Sequence, residues 1–478
     1  MPLIASQHAA SRPSGESHRV EVNGPADSQR WVLKRFLTTL FERSRALFRR
    51  RHDAPLLPGK SVRRSADLAT LGELLLSRRG EASGVAIAER LLETYAMERE
   101  DGRIRFLRSL ADRFGPDVEQ VKVAAHAFLS AGTPNAAQAL HIAAEPRRQE
   151  LFRRLNLAPG GTAALIRMRE DLLKHLGATA ELKAVDADML HLFTAWFNRG
   201  FLVARPIDWQ TPAHILEKII RYESVHEIQD WQDLRRRLEP PDRRCFAFFH
   251  PVLVDEPLIF VEVALTRAIP QAIGPLLAAE REAVPAREAT TAVFYSISNC
   301  QTGLRGISFG NFLIKQVAHE LKKALPSIST FVTLSPVPGF SRWLDRERRL
   351  PESTALRPDD REKLGALDEP NWFRDPEAAE ALREPLLRAA AHYFLRAKAP
   401  NGRPLDPVAR FHLGNGARLD RLNVYGDTSQ KGIDQSKGLM VNYLYELAEV
   451  EKNHELFANT SNVVASPRVR RLLRQEHG

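Results

Sequence analysis

The sequence predicts an α+β multidomain chain, with an all-α helical domain first and a mixed α/β domain carrying the chemistry after it. Three observations lead there. At 478 residues the chain exceeds one compact domain, and roughly 150 residues per domain suggests two or three. Apolar residues recur at helical spacing from about 65 to 180, without strand-type alternation. After about 185 the texture changes to short β-rich runs punctuated by Gly and Pro, in one strand–glycine loop–helix–strand order.

Composition bounds the function. Hydrophobic residues make up 44% and charged residues 27%, which is ordinary for a globular chain and excludes disorder throughout. No apolar run reaches the ~18 residues of a membrane-spanning helix. Cys245 and Cys300 are the two cysteines, and they offer neither a disulfide framework nor a C-x-x-C metal spacing. That fits a reducing compartment and no metal site. The net charge is +10, yet residues 1–60 hold 11 Lys and Arg against 5 Asp and Glu. The remaining surface is nearly balanced and lacks the basic stripe of a nucleic-acid binder. No nucleic-acid partner is expected.

Residues 1–62 read as a basic tail. Its first 30 residues are rich in Ser, Pro, Gly and Asn and read as disordered, with no apolar core before a cleavage site. Residues 31–51 (WVLKRFLTTLFERSRALFRRR) form a basic amphipathic stretch. It suits a helix docked on its own chain, or one lying on a membrane surface.

Residues 63–184 read as a helical oligomerisation domain. Leu68, Leu71 and Leu75 recur at helical spacing, as do Ile87, Leu91 and Tyr95, then Phe106 and Leu110, then Leu165, Met168 and Leu172. No carboxylate–histidine cluster marks a di-metal bundle there. Residues 185–478 form the second part. Strands are expected at 245–249 (CFAFF) and 258–265 (LIFVEVAL), joined by a turn at 255–257. Another is expected at 291–297 (TAVFYSI), before a loop at 301–310 (QTGLRGISFG). A helix presenting Leu313, Val317 and Leu321 follows, then a strand at 330–334 (TFVTL). Helices are expected over 379–397 and 437–451.

Four segments carry chemistry. The loop 301–310 opens a helix, so its backbone N–H groups make an anion site, with Arg305 adding a charge and Gly306 and Gly310 permitting close approach. It is neither G-x-G-x-x-G nor a Walker A loop, and a tight strand-to-helix turn explains it equally well. In 334–340 (LSPVPGF), Pro and Gly hold Ser335 in a restricted turn at a strand's carboxyl end, where ligands gather in open sheets. No G-x-S-x-G elbow is present, and alone the segment reads as a stiff turn. His412 in 411–417 (FHLGNGA) sits beside Asn-Gly turn chemistry instead of on an apolar face. Tyr443 and Tyr445 in 438–445 (GLMVNYLY) would point apart on a helix and together on a strand.

In this order, FYSIS…QTGLRGISFGNFLIK, LSPVPGF, DPVARFHLGNGA and GLMVNYLY resemble the malonyl-CoA decarboxylase family. The likeness covers most of 185–450 and, more weakly, the helical half. It implies a helical domain followed by a catalytic domain related to the GNAT acetyltransferases, and a homodimer or homotetramer with helical domains in the contacts. It further implies malonyl-CoA binding by Arg305, Gly306, Ile307, Ser308, Phe309, Gly310 and Asn311, together with Ser335 and His412. Ser335, His412 and Tyr445 are implied as catalytic. Animal members carry Glu where this chain has Ser308, so any role of that carboxylate does not transfer. The chain ends Gln-Glu-His-Gly, without the family's peroxisomal Ser-Lys-Leu. A cytoplasmic location is expected, with the mitochondrial matrix as the alternative raised by 31–51.

The chemistry needs no cofactor. A malonyl thioester holds its carboxylate beta to a carbonyl that can accept the electrons released with CO₂. The protein must orient the carboxylate, stabilise the enolate and deliver a proton, and one oxyanion donor contributes about 3–4 kcal/mol. Ser335 is the candidate for orienting the malonyl group and His412 for the proton donor, an ordinary imidazole pKa of about 6.5 suiting the task. Tyr445 would hold the carboxylate or the histidine. A GNAT-type acyltransferase is the alternative on the same fold.

Overall fold

The computed structural model describes residues 67–474, apart from 78–79, 178 and 308–312. The tail 1–62 and its amphipathic stretch, and Ser308, Phe309, Gly310 and Asn311, lie outside the described residues.

Eight helices run from Leu68–Leu76 to Leu182–Trp196 among the described residues, so the helical texture continues past residue 185 and the first strand begins at Val203. Their apolar stripes meet in a core that includes Leu91, Leu107, Leu110, Phe114, Leu151, Phe152, Leu165, Met168 and Phe193. Two helices depart from this pattern. Asp117 and Thr133 cap Val118–Ala131 and Pro134–Ala144 with their side chains, and Gly132 closes the first at φ 59. Neither helix buries a single residue.

The second part is an eight-stranded sheet: β1 (Val203–Ile207), β2 (Arg243–Phe249), β3 (Pro257–Thr266), β4 (Thr291–Asn299), β5 (Thr330–Thr333), β6 (Ser335–Pro336), β7 (Arg418–Asn423) and β8 (Met440–Leu444). The spatial order is β1-β2-β3-β4-β5-β8-β6, with β7 also on β8. Pairing between these strands is antiparallel except for β4–β5. That parallel pair needs a crossover, which includes the helix Leu313–Ala324, buried through Leu313, Ile314, Val317, Ala318 and Leu321. Strand β3 is buried along both faces, hence its near-continuous apolar run. The helices Ala213–Tyr222 and Trp231–Leu238 pack into one apolar cluster with Cys245, Ala247, Phe249 and Phe260. A second gathers Ala264, Ile273, Val293, Tyr295, Val332, Leu334 and Met440.

The helix expected over 437–451 is corrected to strand β8 followed by turns, with a helix only from Val450. Lys437 and Gly438 both take positive φ, 51 and 77, which breaks helical continuation. Pairing with β5, β6 and β7 then outweighs a pattern that also suits a helix. Strands β1 and β7 are further additions to the expected set.

The placing of the site follows from a divergence. Strand β4 pairs with β5 only as far as Phe294↔Thr333. Beyond that point β4 continues to Asn299, while Ser335 and Pro336 turn to pair with Val441 and Met440 of β8. On its other side, β4 carries a bulge between the pairs Glu262↔Ser296 and Val263↔Phe294, leaving Tyr295 as the extra residue. The sheet therefore splits at one point into a wedge.

Candidate active site

The wedge holds a cavity of about 250 Å³ lined by Ile259, Phe294, Ile297, Asn299, Ser335, Pro336, Val408, Phe411 and His412, among others. Among the described residues, no Lys, Arg, Asp or Glu contributes to this lining.

Each reactive side chain reaches it for a local reason. Ser335 follows Leu334, whose N–H donates to Phe294 O (3.0 Å), so the serine sits where β5 leaves β4. His412 lies in the last turn of the helix Pro407–Gly414. Asp406 caps that helix, its Oδ1 accepting from Ala409 N at 2.7 Å, and Pro407 occupies the first turn. Tyr443 and Tyr445 are two apart in extended chain and share a face. Tyr443 stacks on the His412 ring (4.6 Å between centroids, 24° between planes), and Tyr445 approaches its edge.

Hydrogen bonds then join these groups in one chain. Tyr445 OH lies 2.9 Å from His412 Nδ1, and His412 Nε2 lies 3.1 Å from Ser335 Oγ. Ser335 Oγ donates to Thr333 Oγ1 at 2.9 Å, and Tyr443 N–H also donates to that oxygen (3.2 Å). With the Ser335 proton on Thr333, the consistent assignment is Nε2–H donating to Ser335 Oγ and Tyr445 O–H donating to Nδ1. His412 is thus neutral with its proton aimed at Ser335. Burial alone agrees, since it pushes the imidazole pKa down to about 3. The expectation of an ordinary imidazole near 6.5 is corrected on this point. Burial likewise raises the Tyr443 and Tyr445 hydroxyls well above their usual range.

Ser335, His412 and Tyr445 are therefore brought together, and Tyr445 bonds the histidine. The loop residues Arg305, Gly306 and Ile307 do not line the cavity. They follow Thr302–Leu304, a short 3₁₀ turn after β4. Arg305 (φ −55, ψ 132) and Gly306 (φ 87) form a type II turn closed by Ile307 N–H to Leu304 O at 3.0 Å. Among the described residues no cluster of three His, Cys, Asp or Glu is placed to hold a metal. No helix among them is long and apolar enough to cross a membrane.

Sequence reasoning missed Thr333 as a partner of Ser335, although residues two apart on a strand share a face. It also read His412 as a turn residue. The signal for a helix was present in Asp406-Pro407, a cap followed by proline at the first helical position.

The family model for the malonyl-CoA decarboxylase C-terminal domain matches residues 200–478, and that for the N-terminal domain matches 114–197. The chain belongs to the malonyl-CoA decarboxylase family. The mitochondrial malonyl-CoA decarboxylase of Anser anser anser is 35% identical over 405 residues, covering 78% of this chain and 80% of the relative. The crystal structure of malonyl-CoA decarboxylase from Rhodopseudomonas palustris superimposes with a TM-score of 0.83 at 62% identity, covering 85% of this chain and 99% of that one. A weaker likeness, TM-score 0.31 at 12% identity, is to the loading GNATL domain of CurA from Lyngbya majuscula, covering 52% of this chain and 98% of that one. The resemblance drawn from the four motifs holds at family level, as does the expectation of a carboxy-lyase.

Proposed function

We propose that this malonyl-CoA decarboxylase family member converts malonyl-CoA to acetyl-CoA and CO₂ through a thioester enolate, with His412 as proton donor. The observation that carries the reading is an uncharged cavity holding a neutral serine–histidine–tyrosine chain at the split in the sheet. A malonyl carboxylate placed against Ile297, Pro336, Val408 and Phe411 loses its hydration with no fixed cation to replace it. Loss of CO₂ disperses that charge, so the environment destabilises the bound carboxylate more than the transition state.

The bond between the carboxyl carbon and the adjacent methylene breaks, and its electron pair moves into the thioester carbonyl. Ser335 can swing its hydroxyl from Thr333 toward the malonyl group and orient it. The enolate carbon is a stronger base than imidazolate, so the neutral Nε2–H of His412 is acid enough to protonate it. Tyr445 holds the tautomer that keeps that proton on Nε2. A proton from solvent restores the imidazole, and one proton is consumed per turnover. Arg305, Gly306 and Ile307 are proposed to meet the CoA phosphates, a pantetheine arm away from the reacting carbon. Their absence from the cavity lining accords with that division.

Incubation of the protein with malonyl-CoA in D₂O tests the reading. Stoichiometric CO₂ and acetyl-CoA bearing one deuterium in the methyl group are expected, with Ser335→Ala slower by about 10²–10³. Malonyl-CoA that binds and stays intact would sink the decarboxylase. An acetylated amine without CO₂ would establish the acyltransferase instead.

For assembly we propose a homodimer or homotetramer built on the helical part. The capped pair Val118–Ala131 and Pro134–Ala144 supports it, exposing Val123, Leu129 and Ile142. Light scattering should give a multiple of the chain mass that falls for Val123→Glu/Leu129→Glu; a monomeric parent would refute it. For location we propose the cytoplasm, to be checked by cell fractionation.

A further inference from the structure

The helical part reaches into the loop assigned above to CoA. Arg169, on the helix Gly161–His175, is 2% exposed. Its Nη1 donates to Gly303 O and to Arg305 O, both at 2.8 Å, while Nε donates to Asp186 Oδ1 at 2.7 Å. Backbone contact reinforces the grip, since a Cβ on Gly303 would stand 2.0 Å from Ile166 O, one turn before Arg169. Asp186 belongs to the next helix, Leu182–Trp196, so two helices hold one guanidinium and that guanidinium holds the loop.

The bonded carbonyl of Arg305 is the central peptide of the type II turn. Type I and type II turns differ by a flip of that peptide, so an arginine fixed on its oxygen selects one orientation. A peptide is planar and trans, hence the Gly306 N–H points away from Arg169. We propose that Arg169, oriented by Asp186, is a positioning residue for CoA recognition, aiming the Gly306 N–H and the Arg305 side chain at the phosphate end of the thioester. The inference rests on the reading of this loop as the CoA contact. It makes the helical part a component of substrate binding as well as of assembly.

The test compares malonyl-CoA with malonyl-pantetheine, which carries the reacting group but no nucleotide. For Arg169→Met and Asp186→Asn, KM for malonyl-CoA should rise about tenfold, the effect of one lost charge-assisted hydrogen bond. Their kcat/KM for malonyl-pantetheine should stay within about twofold of the parent. Arg169→Lys should restore part of the loss. Equal falls on both substrates, or no change on either, would overturn the proposal. Gly306→Ala separates the two layers of argument. If it too leaves the ratio between substrates unchanged, the loop reading fails and carries this inference with it. If Gly306→Ala shifts the ratio and the Arg169 and Asp186 variants do not, only the positioning role fails. Should Arg169→Met not fold, Asp186→Asn leaves the guanidinium in the chain and decides the same question.

Discussion

The helical part and the sheet part both bury polar side chains, but of different kinds. In the helical part the buried groups are charged and paired: Arg148 bonds Asp188, and Arg169 bonds Asp186. Each ties helices together where apolar stripes alone leave orientation loose, and breaking such a pair strands a buried charge. Around the wedge the buried groups are neutral: Thr333, Ser335, His412, Asn442, Tyr443 and Tyr445. Asn442 extends the set, donating to Thr333 O at 2.8 Å and accepting from Asn423 at 2.8 Å. A region that only has to stay assembled can hold ion pairs. A site that must take in a carboxylate and let its charge go is better served by dipoles than by fixed charges.

The largest effect should come from removing the one proton the wedge can deliver. His412→Asn keeps a neutral polar group in the space but places no acidic N–H on Ser335. A fall in kcat of about 10²–10⁴, the usual worth of a positioned acid, is expected with the melting temperature within a few degrees of the parent. Near-parental kcat by CO₂ trapping would remove His412 from the chemistry.

Charging the wedge comes next. Val408 lines the cavity from the first turn of the helix Pro407–Gly414, where an acidic residue favours the helix. Val408→Asp should therefore fold well and still lose about 10² in kcat/KM, because a second carboxylate repels the malonyl group. Val408→Asn, uncharged and of similar size, should lose only a few-fold. Equal losses in both would show that shape, not charge, excludes the substrate.

Tyr445→Phe is milder, because His412 and Ser335 stay in place. The Nδ1 of His412 becomes a buried acceptor without a donor, at a cost of about 1–3 kcal/mol, and the tautomer loses its lock. A roughly tenfold lower kcat with KM nearly unchanged is the expected split, and full activity would mean that the stack on Tyr443 alone sets the ring.

The unequal legibility of the two parts follows from the same contrast. Helical periodicity is written locally, so Leu91, Leu110, Leu165 and Met168 could be placed in a core from spacing alone. Strand β4, its loop and the helix after it were legible as a unit because glycine and apolar alternation mark their ends. Strand β8 was not, since Met440–Leu444 gains its partners from β5, β6 and β7, two of them more than 100 residues earlier in the chain. Ser335, His412 and Tyr445 were named through motif likeness. That they share one hydrogen-bonded chain is a property of the sheet's split, which no local pattern encodes. Arg169 carried no signal at all, one arginine among many on a helix with a solvated face.

The smallest effect concerns acid stability, and its sign can be worked out. Burial lowers the pKa of His412 to about 3 and of His226 to about 4, against about 6.5 in the unfolded chain. Below 6.5 the unfolded state therefore binds protons that the folded state refuses. The stabilisation from these two groups is complete above pH 6.5 and is lost as pH falls toward 4 and then 3. Asp406, raised to about 6 by burial, acts in the opposite sense, holding its proton when folded and losing it when unfolded between about pH 4 and 6. The parent curve sums these contributions, so the clean measurement is a difference. His412→Asn removes one titrating group and should flatten the acid limb of unfolding free energy by up to ~1.4 kcal/mol per pH unit between pH 4 and 6. Chemical denaturation at several pH values gives that slope directly. Parallel acid limbs for parent and variant would mean that His412 is protonated in the folded chain, and the neutral chain from Tyr445 to Thr333 would have to be redrawn with an imidazolium at its centre.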